Sequence, residues 1–209
     1  MIGFDITLLN IEKNKAFVAN QAAIEALVES FNAARDEGEQ HAVAPVQTRN
    51  RQEVTEALIM ETNLLHVMAH GNFSGTVSSK RRLWLPKKFH IELLRQYCEY
   101  QELSPAVDCV LMDACKTFGT DWFKEVRKLV APGKSVIYIG TDDEVGFDET
   151  TTYTGAFYLS FMQRSWTRRA DLRRGIFKQA HRDAASFYSK TTRENCPFRM
   201  REIHSPYAR

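Results

Sequence analysis

Two short apolar runs, each ending in a residue able to carry acid–base or nucleophilic chemistry, constrain this chain more than any other feature. Asn63-Leu64-Leu65-His66-Val67-Met68-Ala69 leads into His70-Gly71, and Ala106-Val107-Asp108-Cys109-Val110-Leu111-Met112 leads into Asp113-Ala114-Cys115. Both runs are too short for a buried helix and are mostly apolar, as expected of core strands in a parallel sheet covered on both faces. Ligands bind outside the carboxyl ends of such strands, so chemistry is expected where the runs stop. A helix-sized segment between them allows the right-handed crossover that sets two parallel strands side by side.

The rest of the chain alternates in the same way. Residues 4–11, 41–46 and 135–140 read as further strands. Ile24, Leu27, Val28 and Phe31 fall at i, i+3, i+4 and i+7 behind an Asn20 cap, giving an amphipathic helix that ends at Gly38. Asn50 and Glu53 form a capping box for a helix that turns Val54, Ala57 and Leu58 inward. Residues 72–86, with Gly75, Ser78, Ser79 and the basic Lys80-Arg81-Arg82, read as a small hairpin or flap. Pro86 then opens a helix striped by Leu93, Leu94 and Tyr97. Trp122, Val126 and Leu129 mark a helix stopped by Pro132-Gly133, another helix is expected near 153–162, and Leu172, Ile176, Ala180 and Phe187 stripe a long last one. This βαβα order predicts an α/β fold, a three-layer sandwich with a mainly parallel central sheet. One domain is expected over 1–190, followed by a tail over 191–209.

Composition removes several classes. With 209 residues and 44% hydrophobic content the chain can bury one substantial core, and a formal charge of +2 gives no global pull toward nucleic acid or an anionic membrane. No stretch approaches the roughly eighteen continuous apolar residues of a membrane span, and the N-terminus lacks a basic region followed by an apolar one, so a cytoplasmic protein is expected. Cys98, Cys109, Cys115 and Cys196 show no metal-ligand spacing, which predicts reduced thiols, three of them packing residues. Neither metal nor cofactor is implied. Phosphatase chemistry of the Cys-x5-Arg type is excluded because Asp121 stands where that motif needs its arginine.

A strand ending in His-Gly, followed about fifty residues later by a strand ending in Ala-Cys, resembles the caspase-like (clan CD) cysteine peptidases, whose caspase signature is Gln-Ala-Cys-x-Gly with its histidine at that distance upstream. Gly119 departs from the signature, lying four residues after Cys115 rather than two. Val136-Ile137-Tyr138-Ile139-Gly140-Thr141-Asp142-Asp143-Glu144, followed by Gly155-Ala156-Phe157-Tyr158-Leu159-Ser160-Phe161-Met162, is similar to the strand, acidic turn and aromatic helix of the bacterial CHAT branch. The final helix around 172–184 is similar to that branch's closing helix. The resemblance covers about residues 60–185.

The resemblance implies a caspase-like cysteine endopeptidase that acts on protein or peptide substrates as a bacterial effector, regulatory or defence protease. His70 would take the proton of Cys115, the thiolate would attack the scissile carbonyl, and the backbone N–H groups of Gly71 and Cys115 would stabilise the oxyanion. Asp113, two residues before the nucleophile on an extended strand, shares its face. In metacaspase, legumain-like and clostripain-like relatives an acid here lines the pocket for the residue preceding the cut, which implies cleavage after Arg or Lys. Asp142 and Asp143 are candidate second acids of that pocket. An activating partner in trans is also implied, because CHAT domains often sit beside sensor regions or companion subunits.

Bland readings stand beside these. Asp113 can simply cap the following loop, Asp142-Asp143-Glu144 can be a solvated turn, and His66 reads as packed. Arg164, Arg168, Arg169, Arg173, Arg174, Lys178 and Arg182 form a basic run that would suit a phosphate track, but Asp171 and Asp183 interrupt it and no aromatic pattern accompanies it. A solvated helix face is therefore expected, without direct nucleic-acid contact. Two alternatives to the peptidase remain: a catalytically silent interaction module, and a nucleic-acid-binding domain that uses this helix.

Overall fold

All five residues of β3 (Leu64–Met68) and of β7 (Cys109–Asp113) are buried, so both faces of the sheet that contains them are covered. The structure, a computed structural model, describes residues 3–11, 15–73, 81–84, 89–90, 103–165 and 172–207. Its centre adds β1 (Asp5–Asn10), β2 (Ala42–Gln47), β8 (Ser135–Thr141) and β9 (Phe198–His204) in the order β2-β1-β3-β7-β8-β9. The first five strands run parallel and β9 is antiparallel to β8.

The period-two alternation of the strands splits the core. Leu64, Met68, Cys109 and Leu111 pack toward α1 (Lys15–Asn32), the helix Phe147–Arg164 and the helix Arg173–Thr192. Leu65, Val67, Val110 and Met112 pack toward α2 (Arg51–Ile59) and α3 (Thr120–Leu129). The helices 147–164 and 173–192 are α4 and α5. Each buried Leu, Ile, Val or Phe here contributes roughly 1.5–3 kcal/mol. The fold is the three-layer α/β sandwich with a mainly parallel sheet that the sequence predicts.

A second, antiparallel sheet holds β4 (His70–Phe73), β5 (Arg81–Trp84) and β6 (Phe89–His90), in keeping with the expected flap. Residues 89–90 are extended, so they form no part of the helix expected to open at Pro86. Gly75, Ser78, Ser79, Lys80, Pro86, Leu93, Leu94, Tyr97 and Cys98 lie outside the described residues.

Several boundaries differ from the sequence reading. Asn20 is no cap: α1 is already helical at Lys15, its buried face runs Phe17, Asn20, Gln21, Ile24, Val28, and the Asn20 carboxamide oxygen accepts from Thr154 Oγ1 at 3.2 Å. The apolar phase starts at Phe17, one turn before the polar residue that resembles a cap. Asn50 does cap α2, accepting from Gln52 N, but its own N–H goes to Thr48 Oγ1 rather than to Glu53, so the capping box is open. Leu172 and Phe187, expected on the buried stripe of α5, are 44% and 52% exposed; that stripe is Ile176, Phe177, Ala180, Ala184, Tyr188. The segment after 190, read as a tail, supplies β9. Phe198 and Ile203 are buried there, while the intervening arginines give the stretch its tail-like composition.

Candidate active site

In the β3–β7 ladder Met68 lies opposite Asp113, and the Ala69 N–H donates to the Asp113 carbonyl at 3.1 Å. His70 and Cys115 each lie two residues beyond that pair. Both therefore leave neighbouring strands at the same carboxyl end of the sheet. The His70 imidazole packs edge-on against Phe17 of α1 (5.3 Å, 69°) and Phe147 at the start of α4 (5.6 Å, 72°), and the two phenyl rings meet each other at 5.0 Å. Val145 N–H donates to Cys115 Sγ at 3.4 Å, and the thiol faces the Val145 carbonyl oxygen at 3.7 Å. Val145 and Phe147 thus let one short segment touch the thiol with one end and the imidazole with the other. Among the described residues the hydrogen bonds of the thiol run to Val145, not to His70.

The turn that carries Cys115 is fixed from several sides. Lys116 has φ 57°, the left-handed region that a non-glycine residue enters only where its surroundings enforce it. Its N–H donates to the Asp143 carbonyl at 3.0 Å, and the Ala114 carbonyl accepts from both Thr117 Oγ1 (2.9 Å) and Thr141 Oγ1 (2.7 Å). Phe118 N–H reaches the Thr141 carbonyl, and Tyr138 donates its hydroxyl to the Thr117 carbonyl, each at 2.7 Å. Gly140 lets β8 approach this turn, because a Cβ there would sit 2.8 Å from Thr117 Oγ1. Strand β8 is the template on which the turn is set.

Burial pushes the Cys115 thiol pKa up; the Val145 bond opposes this, and the charges of Glu144 and Asp113 reinforce it. The surroundings therefore favour the thiol over the thiolate.

The three acids have three different surroundings. Asp113 is the last residue of β7, so Cys115 lies in the turn beyond the strand rather than on its face; Asp113 is 1% exposed, with Oδ2 3.8 Å from His66 Nε2, and His66 Nδ1 meets the Tyr158 hydroxyl of α4 at 3.1 Å. The carboxylate is thus buried beside His66. Asp142 is exposed and ion-paired to Arg199 at 2.9 Å. Asp143 is exposed, accepts from Glu144 N–H at 2.8 Å, and adjoins the Cys115 turn through its own carbonyl. Glu144 pairs with Lys116 at 2.8 Å. Gly71 lies on β4 opposite Leu83.

Sequence reasoning missed Phe17, Val145 and Phe147. Their one visible signal is a pair of apolar residues flanking Gly146 in an otherwise polar loop. Cys109 and Cys196 are free and buried. Several cations of the basic run are engaged internally: Arg164 with Asp183 (2.8 Å), Lys178 with Glu202 (2.7 Å), Arg174 with Glu202 (3.5 Å), and Arg173 over the Phe4 ring. Arg168, Arg169 and Asp171 lie outside the described residues. Among the described residues no group of three or more His, Cys, Asp or Glu is arranged to hold a metal ion, and no helix is long and apolar enough to cross a membrane.

No protein-family model matches this chain, and neither does any curated protein. Solved structures do match in fold. One is the complex of the pro- and mature domains of RgpB from Porphyromonas gingivalis (TM-score 0.56, 10% identity, 98% of this chain and 48% of that one). Another is a secreted C11 cysteine protease from Bacteroides thetaiotaomicron in complex with an irreversible peptide inhibitor (TM-score 0.54, 12% identity, 90% of this chain and 59% of that one). The chain spans about half the length of the structures it matches. At such identities the likeness establishes the fold, which is the caspase-like sandwich.

Proposed function

We propose that this chain is a cysteine endopeptidase whose dyad is His70 and Cys115. The observation that carries the reading is the Met68–Asp113 register, which sends the imidazole and the thiol out of adjacent strands at the end where parallel sheets bind ligands. The likeness in fold to a cysteine protease that takes an irreversible peptide inhibitor supports it. In the reaction His70 accepts the Sγ proton, Sγ bonds to the scissile carbonyl carbon, and the Gly71 and Cys115 N–H groups hold the oxyanion. The imidazolium then protonates the departing amine, and water releases the acyl group from sulfur.

Cleavage after Arg or Lys rests chiefly on Asp143, the exposed acid beside the nucleophile turn, whose charge is felt by Lys116 while the Lys116 ammonium itself bonds Glu144. Asp113 would act from beneath the pocket floor and Asp142 only after giving up Arg199. The neutral thiol, held by Val145, supports a resting enzyme that an activating partner in trans switches on. The CHAT assignment and a role as bacterial effector or regulatory protease follow from the sequence resemblance.

Labelling with an arginyl acyloxymethyl ketone, followed by peptide mapping, tests the reading. The adduct is expected on Cys115 and is lost in Cys115→Ala and His70→Ala. An adduct on Cys109 or Cys196, or labelling that survives Cys115→Ala, overturns it.

A further inference from the structure

A cavity of about 340 Å³ lies between α3 and the edge strand β9, apart from the candidate active site. A volume of this order suits a small ligand. Lys124 and Arg127 reach it from one exposed face of α3, three positions apart, and Arg201 reaches it from β9. Its apolar wall is Phe123 and Ile203.

The charges here are not cancelled. Among the described residues no carboxylate pairs with Lys124, Arg127 or Arg201, whereas nearby Lys128 pairs with Glu125 and Arg199 with Asp142. Glu202 is the one carboxylate on the wall, and it is already engaged by Lys178 at 2.7 Å, Arg174 at 3.5 Å and the Ser135 hydroxyl. The Arg201 guanidinium lies 4.7 Å from the Phe123 ring centroid. Stacking of this kind orients the planar cation and leaves its in-plane N–H fork for an oxyanion, at little further entropic cost when a ligand arrives. Three converging, unpaired cations are more than a single phosphate or carboxylate needs.

We infer that this cavity binds a small molecule bearing a diphosphate group, with the Arg201 fork on one phosphate and Lys124 and Arg127 on the other. A nucleoside diphosphate and free pyrophosphate share that chemistry. The site is independent of the peptidase reading.

Titration calorimetry on the full chain, with pyrophosphate, ADP and AMP as separate probes, tests it. Saturable binding of pyrophosphate or ADP is expected, at least tenfold tighter than AMP and weakening as salt is raised. Tighter ADP than pyrophosphate identifies the nucleotide as the source, and the reverse identifies the free anion. Arg201→Gln and the double variant Lys124→Gln/Arg127→Gln are each expected to weaken binding at least tenfold with an unchanged melting temperature, while Lys190→Gln on α5 has no effect. Unaltered binding in the cavity variants, AMP as tight as ADP, absence of binding at millimolar probe, or displacement of either probe by a micromolar single-stranded oligonucleotide overturns the inference.

Discussion

Val145 grips the Cys115 sulfur with both polar atoms of its backbone, the amide nitrogen at 3.4 Å and the carbonyl oxygen at 3.7 Å. A thiol held this way, with its pKa raised by burial, is a poor nucleophile at neutral pH. Alkylation of Cys115 by iodoacetamide in the resting protein is expected to quicken about tenfold per pH unit and to keep rising beyond pH ~9. A plateau near neutrality, read by mass spectrometry across a pH series, would show a thiolate already formed.

Phe147 sets the imidazole on one side as Val145 sets the thiol on the other. Phe147→Ala removes a 37%-exposed ring from both His70 and Phe17. Stability should fall by about 1–2 kcal/mol, less than for a fully buried ring. Peptidase kcat should fall about tenfold with KM little changed, because a misaligned base costs chemistry rather than substrate binding. A change confined to KM in steady-state kinetics would contradict this.

Gly140→Ala tests how tightly β8 templates the nucleophile turn. The new Cβ meets Thr117 Oγ1 at 2.8 Å and the Thr117 carbonyl at 3.3 Å, so the turn must shift. A loss of about 1–3 kcal/mol, seen as a melting temperature lower by roughly 3–10 °C, should accompany a loss of Cys115 labelling. Full labelling would place the turn's rigidity outside the mechanism.

Asp143→Asn should lower kcat/KM for arginyl peptides about fivefold, the size of one exposed charge contact, and leave a neutral-residue peptide unaffected. Asp142→Asn should do less, since Arg199 already takes that carboxylate. Equal losses on arginyl and neutral peptides would remove Asp143 from the specificity pocket.

His41 accepts the Phe4 N–H on Nδ1 at 3.0 Å and meets the Ser165 hydroxyl at Nε2. Burial, and then Arg35, lower its pKa from 6.5 to about 4. Above pH 6.5 it is neutral in both folded and unfolded states, and its contribution is complete. As pH falls from 6.5 toward 4 the unfolded chain binds the proton first, so stability is lost over that window, up to about 3 kcal/mol. His181, also lowered to about 4, acts in the same direction. Urea midpoints measured from pH 7.5 to 4 should decline, and His41→Gln should flatten the decline; a flat wild-type profile would contradict the burial argument.

The strands and the sheet order around the site were legible because short, mostly apolar runs such as 64–68 and 109–112 leave few options other than a doubly covered parallel sheet. The depth of Asp113 was not legible. A period of two carries no further than the end of β7 at Asp113, and the burial of that carboxylate beside His66, itself bonded by Tyr158 of α4, is set by tertiary packing. Asn20 misled because a polar residue can satisfy itself across a helix interface as well as at a helix start. The role of the Val145–Phe147 segment could not be read from its two apolar residues alone, since its contacts join the β8–α4 loop to residues far back in the chain.

Strand β9 closes the side of β8 that would otherwise present its backbone donors and acceptors to solvent along seven paired positions. A fragment cut at residue 190, where composition invites a boundary, would expose that row as a template for edge-to-edge association between molecules. Expression plans should therefore keep everything through His204, and insoluble material from a shorter version would report a missing partner strand rather than an unsuitable fold.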